Sequence, residues 1–116
     1  MKSNLLIAAI DVGTNSFHLV IASVNDKGIL QIHSRAKEMV RLGSGSGDMK
    51  RISPEAIDRG VAALKRFATM AKKAKAPIRA IATSAVREAL NKDEFVRQAL
   101  EIAGVQIEVV SGVEEG

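Results

Sequence analysis

A short polar segment, Asp11 to Ser16, separates two apolar runs near the start of the chain, and this arrangement constrains the fold most. The first run, Leu5 to Ile10, is continuous, which is typical of a strand buried on both faces of a sheet. The second run, Phe17 to Val24, predicts a strand that returns beside the first. Gly13 permits a backbone conformation that a side chain would forbid, so the polar segment is predicted to be a tight turn.

The same turn carries groups that can bind phosphate. Thr14, Asn15 and Ser16 supply hydroxyls, an amide and successive backbone N–H groups, and such turns can cradle phosphate oxygens. Asp11 ends the first strand beside them, where a carboxylate can hold a hydrated divalent cation. Gly-Thr-Asn-Ser is also ordinary hairpin chemistry, so the turn alone leaves both interpretations open. An acid at the end of a buried strand is costly without a partner, and Asp11 therefore favours a functional site.

Composition narrows the class of protein. The 116 residues are enough for one small domain, and since 47% are hydrophobic but only 3% aromatic, we expect an aliphatic core of Ile, Val, Leu, Ala and Met. The lack of cysteine excludes disulfides and thiolate metal sites and fits a cytoplasmic location. The first apolar run is too short for a membrane span and makes a poor signal peptide.

The net charge of +4 favours polyanionic ligands such as polyphosphate and nucleotides. No aromatic platform for stacking bases accompanies the basic residues, so specific nucleic-acid binding is not expected. On charge alone, a basic surface that only keeps the chain in solution is the simpler explanation.

Turn signals, helix caps and apolar periodicity predict five more elements after the second strand. These are a strand at Ile29 to about Leu42, a helix from Ser53 to before Pro77, a strand at Ile78 to Thr83, a helix from Asn91 to Gly104 and a strand at Val105 to Val110. Ser53 is the predicted N-cap of the first helix, and Asn91 with Glu94 forms a predicted capping box for the second. The glycine-rich segment Gly43 to Asp48 is predicted to be a surface loop near the site.

This order of elements indicates an α/β fold with a mixed five-stranded sheet. Strands joined by short turns are antiparallel neighbours, whereas each strand–helix–strand passage implies a parallel, right-handed crossover. Ligands of parallel sheets bind beyond the carboxyl ends of the strands. We therefore expect the segments that follow the first, fourth and fifth strands to share one rim.

Two of these segments carry charged residues suited to phosphate chemistry. Arg87 lies in Thr83 to Ala89, after the fourth strand, and its planar guanidinium suits a phosphate. Ser111-Gly112-Val113-Glu114-Glu115 follows the fifth strand, where it would begin a further helix. Taken singly, such an arginine is more often a surface residue, and a glutamate pair more often complements a helix dipole. A functional site is favoured because the segments after the first, fourth and fifth strands are expected to converge on one rim.

The turn and its flanks resemble the first phosphate loop of the exopolyphosphatase/guanosine pentaphosphate phosphohydrolase family, through Asp11-Val12-Gly13-Thr14-Asn15-Ser16-Phe17-His18-Leu19-Val20. The family belongs to the actin-like, sugar-kinase and heat-shock-ATPase superfamily, which shares only Asp-x-Gly-Thr/Ser. The extension from Asn15 to His18 narrows the resemblance to the family. Thr83 to Ala89 and Ser111 to Glu115 are similar to two further family segments, so the resemblance spans essentially the whole chain.

The resemblance implies a ribonuclease-H-like, actin-like ATPase half-domain with the sheet order third, second, first, fourth, fifth strand. Residues 1–116 would be the N-terminal part of the first actin-like domain, since a second phosphate loop, Asp-x-Gly-Gly-Gly-Ser, and a second lobe are absent from the sequence. The parent would be a homodimeric, Mg²⁺-dependent phosphohydrolase acting on polyphosphate or guanosine pentaphosphate. With half of the phosphate clamp missing, the fragment alone is expected to be inactive.

Roles for residues also follow from the resemblance. The implied phosphate-binding residues are Gly13, Thr14, Asn15, Ser16 and Arg87. Glu115 would be the general base that activates the attacking water, and with Asp11 it would hold Mg²⁺. Two alternatives stay open: an ATP-dependent sugar or acid kinase, which should lack Ser-Gly-x-Glu-Glu, and a non-catalytic polyanion-binding module.

Overall fold

A mixed five-stranded sheet with the order β3-β2-β1-β4-β5 forms the centre of the computed structural model, which describes residues 5–43 and 51–110. The strands are β1 (Leu5–Val12), β2 (Ser16–Val24), β3 (Leu30–Met39), β4 (Ile78–Ala82) and β5 (Ile107–Val109). β1, β2 and β3 are antiparallel neighbours, β4 runs parallel to β1, and β5 runs parallel to β4. The predicted strand order and the α/β class are confirmed.

The helices connect the parallel strands. They are α1 (Pro54–Lys73), α2 (Ser84–Glu88) and α3 (Lys92–Gln98), which continues as a π-helical segment, Ala99–Ala103. Ser53 caps α1 as predicted, because its hydroxyl accepts a hydrogen bond from the Ala56 N–H at 3.1 Å. Gly104 ends the π-helical segment with a φ of 72°. In the described part of the chain, no helix has both the length and the apolar character needed to cross a membrane.

One face of the sheet carries the core. All three phenylalanines are fully buried there, and the rings of Phe17 and Phe95 lie 6.4 Å apart between centroids. α1 can approach this pair because of Gly60, where a Cβ would lie 3.0 Å from the Phe95 ring. The predicted aliphatic core is confirmed for most of its residues, but the three phenylalanines also belong to it, whereas Met39 is 58% exposed.

β1 is buried on one face only. Ala8, Ile10 and Val12 point into the core, whereas Ile7 is 38% and Leu5 is 72% exposed. The prediction of a strand buried on both faces was wrong, because in the described residues the opposite face of β1 remains in contact with solvent. A continuous apolar run indicates that both faces of a strand are apolar, but it does not indicate whether other parts of the protein cover both faces.

The predicted capping box at α3 does not form. The Asn91 side chain accepts a hydrogen bond from the N–H of Ile52 and donates one to its carbonyl, each at 2.9 Å. The Glu94 carboxylate accepts hydrogen bonds from Arg97 and Gln98, both at 2.6 Å, and these, the Arg97 bond first, hold the pKa of Glu94 below its usual value. Asn91 therefore fastens the start of α3 to the segment before α1 instead of capping its own helix.

We expect Asn91→Ala to destabilise the chain measurably. The substitution leaves the N–H and carbonyl of Ile52, which is 1% exposed, without their partners. Leaving buried polar groups unsatisfied costs about 1–3 kcal/mol, to be measured as a loss in the free energy of unfolding by denaturant titration. Asn91→Asp keeps only the acceptor and should lose less. A change within about 0.5 kcal/mol for Asn91→Ala, typical of an unimportant surface position, would contradict this assignment.

Candidate functional site

Three segments leave the sheet side by side at the carboxyl ends of its parallel strands. Val12 of β1 pairs with Ala82 of β4, and Ala82 pairs with Val109 of β5. The N–H of Val110 continues this row by donating to the Ala82 carbonyl at 3.1 Å. The turn after β1, the helix α2 and the chain after β5 therefore start from neighbouring positions, which we call the rim.

The turn at the rim joins β1 to β2 and is closed by a backbone hydrogen bond from the Gly13 N–H to the Ser16 carbonyl, 3.2 Å long. Among the described glycines, left-handed φ values occur at Gly28 and Gly104, and not at Gly13. A Cβ on Gly13 would instead lie 2.8 Å from the Ser16 carbonyl oxygen. Glycine is thus needed at position 13 because two backbone segments approach closely there. The prediction that Gly13 adopts a backbone conformation forbidden to other residues was wrong.

The carbonyl groups of the turn are held from the side of β3. The Asn15 carbonyl accepts hydrogen bonds from the N–H groups of Val40 and Arg41, both at 2.8 Å, and the Thr14 carbonyl accepts one from Gly43 at 3.4 Å. Within the described residues, no acceptor takes the N–H groups of Thr14 and Asn15. The arrangement leaves two successive backbone donors for an anion, which is the chemistry of a phosphate-binding nest.

Arg59 of α1 fixes the segment that holds the turn. Its Nε donates to the Val40 carbonyl at 2.8 Å, and its Nη2 donates to the Arg41 carbonyl at 3.0 Å. Sequence analysis missed this residue. Its acceptors are backbone carbonyls 19 and 18 residues earlier in the chain, and nothing in the sequence pattern marks such partners.

Asp11 lies on the exposed face of the sheet next to the turn. Its neighbours across the strands are His18 of β2 and Ile81 of β4. Together with other side chains of this face, they line a shallow groove of about 320 Å³. The argument that Asp11 is a buried acid was therefore wrong, because its carboxylate is open to water.

A cation at this position would need ligands besides Asp11. Across residues 5–43 and 51–110, no group of three or more His, Cys, Asp or Glu side chains is placed to hold a metal. Mg²⁺ in particular is often held by one or two carboxylates together with water and substrate phosphates. One accessible carboxylate, that of Asp11 beside the turn, is compatible with a site of this kind.

Arg87 also lies at the rim. Because α2 has only five residues, Arg87 occupies its last turn, where a positive charge is favourable. Its Nη1 lies 3.5 Å from the Val110 carbonyl, and its Nε lies 3.6 Å from the Glu88 carboxylate. The structure thus brings Arg87 to the point where the chain leaves β5. Glu115 and the predicted loop at 44–48 lie outside the described residues.

Comparison with known proteins gives a family and several close structural likenesses. The model of the Ppx/GppA phosphatase family matches residues 20–116. The PPX-GPPA enzyme of Aquifex aeolicus is 30% identical with a TM-score of 0.90, and the match covers 98% of this chain and 38% of that one. An exopolyphosphatase from Cytophaga hutchinsonii is 32% identical with a TM-score of 0.89, covering 95% and 35%.

The chain therefore spans little more than a third of the length of these relatives. A more distant likeness is T. thermophilus RuvC, solved with a Holliday junction substrate, with 13% identity, a TM-score of 0.52 and coverage of 95% and 68%. At that identity only the fold is shared. Together with the strand order, these likenesses confirm the predicted ribonuclease-H-like, actin-like half-domain.

We expect Gly13→Ala to distort the turn and to abolish anion binding by its donors. The new Cβ meets a backbone oxygen at 2.8 Å, so the turn must open. Backbone strain of this kind costs about 1–3 kcal/mol. In the unchanged chain, titration with tripolyphosphate should shift the amide NMR signals of Thr14 and Asn15, and in the variant these shifts should disappear.

Gly28→Ala is the matched control. Gly28 has a φ of 79°, so an alanine there is strained by about 1–2 kcal/mol, but a Cβ would meet no atom within 4 Å. The residue lies beyond the opposite end of β2 from the rim. This variant should lose stability yet keep the response to tripolyphosphate. If Gly13→Ala kept the tripolyphosphate-induced shifts as fully as Gly28→Ala does, the turn would be only a hairpin.

Proposed function

Because the chain belongs to the Ppx/GppA phosphatase family, we propose that it is the N-terminal part of an enzyme that hydrolyses the terminal phosphoanhydride bond of inorganic polyphosphate or guanosine pentaphosphate. The observation that carries the proposal is the pairing of Val12 with Ala82 and of Ala82 with Val109. Because of this register, the three segments that contain the proposed site residues leave the sheet from adjacent positions. The family assignment favours hydrolysis over the sugar or acid kinase alternative. Cytoplasmic location and a homodimeric parent stay predictions from the sequence.

The turn would bind substrate phosphate through its backbone. The N–H groups of Thr14 and Asn15, with the Thr14 hydroxyl, are the proposed donors. The Gly13 N–H is already used within the turn, so Gly13 contributes by allowing close approach. The Ser16 hydroxyl donates a weak hydrogen bond to the Met39 sulfur, 3.6 Å away. A phosphate oxygen can replace the sulfur as the acceptor. Arg87 would offset charge on the terminal phosphate.

The reaction needs charge neutralisation and an aligned water. Asp11 and Glu115 are the residues that would hold Mg²⁺, which would supply positive charge to offset that of the substrate phosphates. Glu115 takes a proton from the water, whose oxygen attacks the terminal phosphorus. The bond from that phosphorus to the bridging oxygen breaks, and the bridging oxygen stays with the shortened chain. The products are inorganic phosphate and a polyphosphate one unit shorter, or guanosine tetraphosphate.

Glu115→Gln in the full-length parent tests this assignment most directly. Glutamine keeps the shape and hydrogen bonding of glutamate but cannot accept a proton at pH 7. A positioned general base contributes about 10²–10⁴-fold, so kcat for phosphate release should fall by that factor while the affinity for substrate changes little. Phosphate release from polyphosphate and from guanosine pentaphosphate, with and without Mg²⁺, is the measurement.

Glu114→Gln in the same protein is the matched control. The neighbouring carboxylate shares any general effect of charge or helix dipole, worth about 0.3–1 kcal/mol, but has no proposed proton-transfer role. Equal small losses in both variants would place the base elsewhere. A large loss at Glu114 alone would mean that the motif is assigned one residue out of register. Tight polyphosphate binding by the unchanged parent without phosphate release would favour the polyanion-binding module.

A further inference from the structure

We propose that Arg59 is a positioning residue that holds the phosphate-binding turn in its working shape from the side opposite to the anion. The inference rests on the proposed function of the turn. It concerns a residue outside the three segments that carry the chemistry, on a helix that contributes no proposed substrate contact.

The contacts form a continuous path from helix to turn. The Arg59 guanidinium donates to the carbonyls of Val40 and Arg41, at 2.8 and 3.0 Å. The N–H groups of the same two residues both donate to the Asn15 carbonyl, at 2.8 Å each. Val40–Arg41 is thus a two-residue bridge whose carbonyls are held by α1 and whose N–H groups hold the turn.

The bridge depends on being held. Arg41 has a φ of 59°, a left-handed conformation that is unfavourable for a residue with a side chain. This φ sets the direction of the Arg41 carbonyl relative to the Arg41 N–H, so that the N–H meets the turn and the carbonyl meets the Arg59 guanidinium. Val40 is 1% exposed and anchors the bridge in the core, whereas Arg41 and Arg59, the latter on the long helix α1, are exposed to solvent.

The bridge also restrains the segment that carries the turn's donors. Peptide groups are planar, so the Asn15 carbonyl held by the bridge fixes the peptide that follows Asn15. The Asn15 N–H shares its own peptide with the Thr14 carbonyl, which accepts a hydrogen bond from Gly43, two residues after the bridge. The peptide planes on both sides of Asn15 are thus held from the segment after β3. Preorganised donors are the ones that stabilise developing charge, and a displacement near 1 Å in such a site can cost about 10²-fold in rate.

Arginine suits this role better than lysine. Its planar fork presents two N–H groups at a fixed spacing, which here reach two successive carbonyls. A lysine ammonium would supply the charge and one or two movable donors but not the fork. Arg59→Lys should therefore restore part of what Arg59→Met removes.

The same helix supplies a matched control. Arg66 lies two turns further along α1 and pairs with Glu38 of β3, with its Nε 2.7 Å from the carboxylate. It also ties α1 to the β3 side of the sheet, but among the described residues its hydrogen bonds go to Glu38 and not to Val40, Arg41 or the turn. Arg66→Met removes an arginine of the same helix without touching the bridge.

The experiment has two measurements. In the full-length parent, kcat and KM for phosphate release from polyphosphate are compared for the unchanged protein, Arg59→Met, Arg59→Lys and Arg66→Met. In the 116-residue chain, hydrogen exchange of the Val40 and Arg41 amides is followed by NMR in the same four forms. A role limited to fold stability would accelerate exchange throughout the core equally and would leave KM unchanged in the folded enzyme.

We expect kcat/KM for Arg59→Met to fall by about 10- to 100-fold, with faster exchange at the Val40 and Arg41 amides and unchanged exchange in β1 and β4. Arg59→Lys should recover part of both effects, and Arg66→Met should remain within about twofold of the unchanged protein. Unchanged kcat/KM in Arg59→Met and Arg59→Lys, with Glu115→Gln still inactive, would overturn this inference and leave the proposed function standing. No phosphate release by the unchanged parent would overturn the proposed function instead, and the amide exchange would then decide whether Arg59 holds the turn.

Discussion

The parallel pairing of β1 with β4 is the constraint on which the rest of the structure depends. β1 is the only described strand that pairs antiparallel on one side and parallel on the other, so it joins the β1–β2–β3 meander to the two crossover strands. Its register with β4 continues into β5 and aligns the ends of all three strands. A shift of one residue at this pairing would turn the core face of β1 outwards and separate the turn from α2.

A second level of organisation lies behind the turn. Backbone donors are preorganised for an anion when the carbonyls of the same segment are held in place. Here the bridge after β3 donates to the carbonyl of Asn15, and α1 donates to the carbonyls of the bridge. The turn is therefore held from the antiparallel half of the sheet, whereas the other two segments of the rim follow the parallel strands β4 and β5.

Much of this architecture was predictable from local signals. The cap at Ser53 and the helix end at Gly104 follow from turn chemistry and periodicity, the strand order follows from the resemblance, and the structure bears out all three. The failures concern tertiary partners. Asn91 has a good capping sequence, but its side chain binds Ile52, 39 residues away, and local propensity carries no information on such a competitor.

The candidate site divides in the same way. The turn was predicted to bind phosphate because of the adjacent Asp11 and the family resemblance, and that role stays a prediction. Arg59 was missed because a helix-surface arginine is common and its partners are main-chain atoms. The exposure of Asp11 was mispredicted because a continuous apolar run gives the character of both faces of a strand but not their coverage. In each case, the missing knowledge was what packs against a residue rather than what the residue is.

The exposed face of β1 makes the behaviour of the chain in solution depend on temperature and on the kind of salt. Apolar contacts weaken on cooling and strengthen with salts that are excluded from protein surfaces, phosphate and sulfate among them. We therefore expect the exposed Ile7 and Leu5 to favour association of chains in warm or phosphate-rich solution. If the turn binds phosphate as proposed, inorganic phosphate would act in two ways at once, as an anion at the turn and as a salt acting on the sheet. An organic buffer held at low temperature separates the two effects.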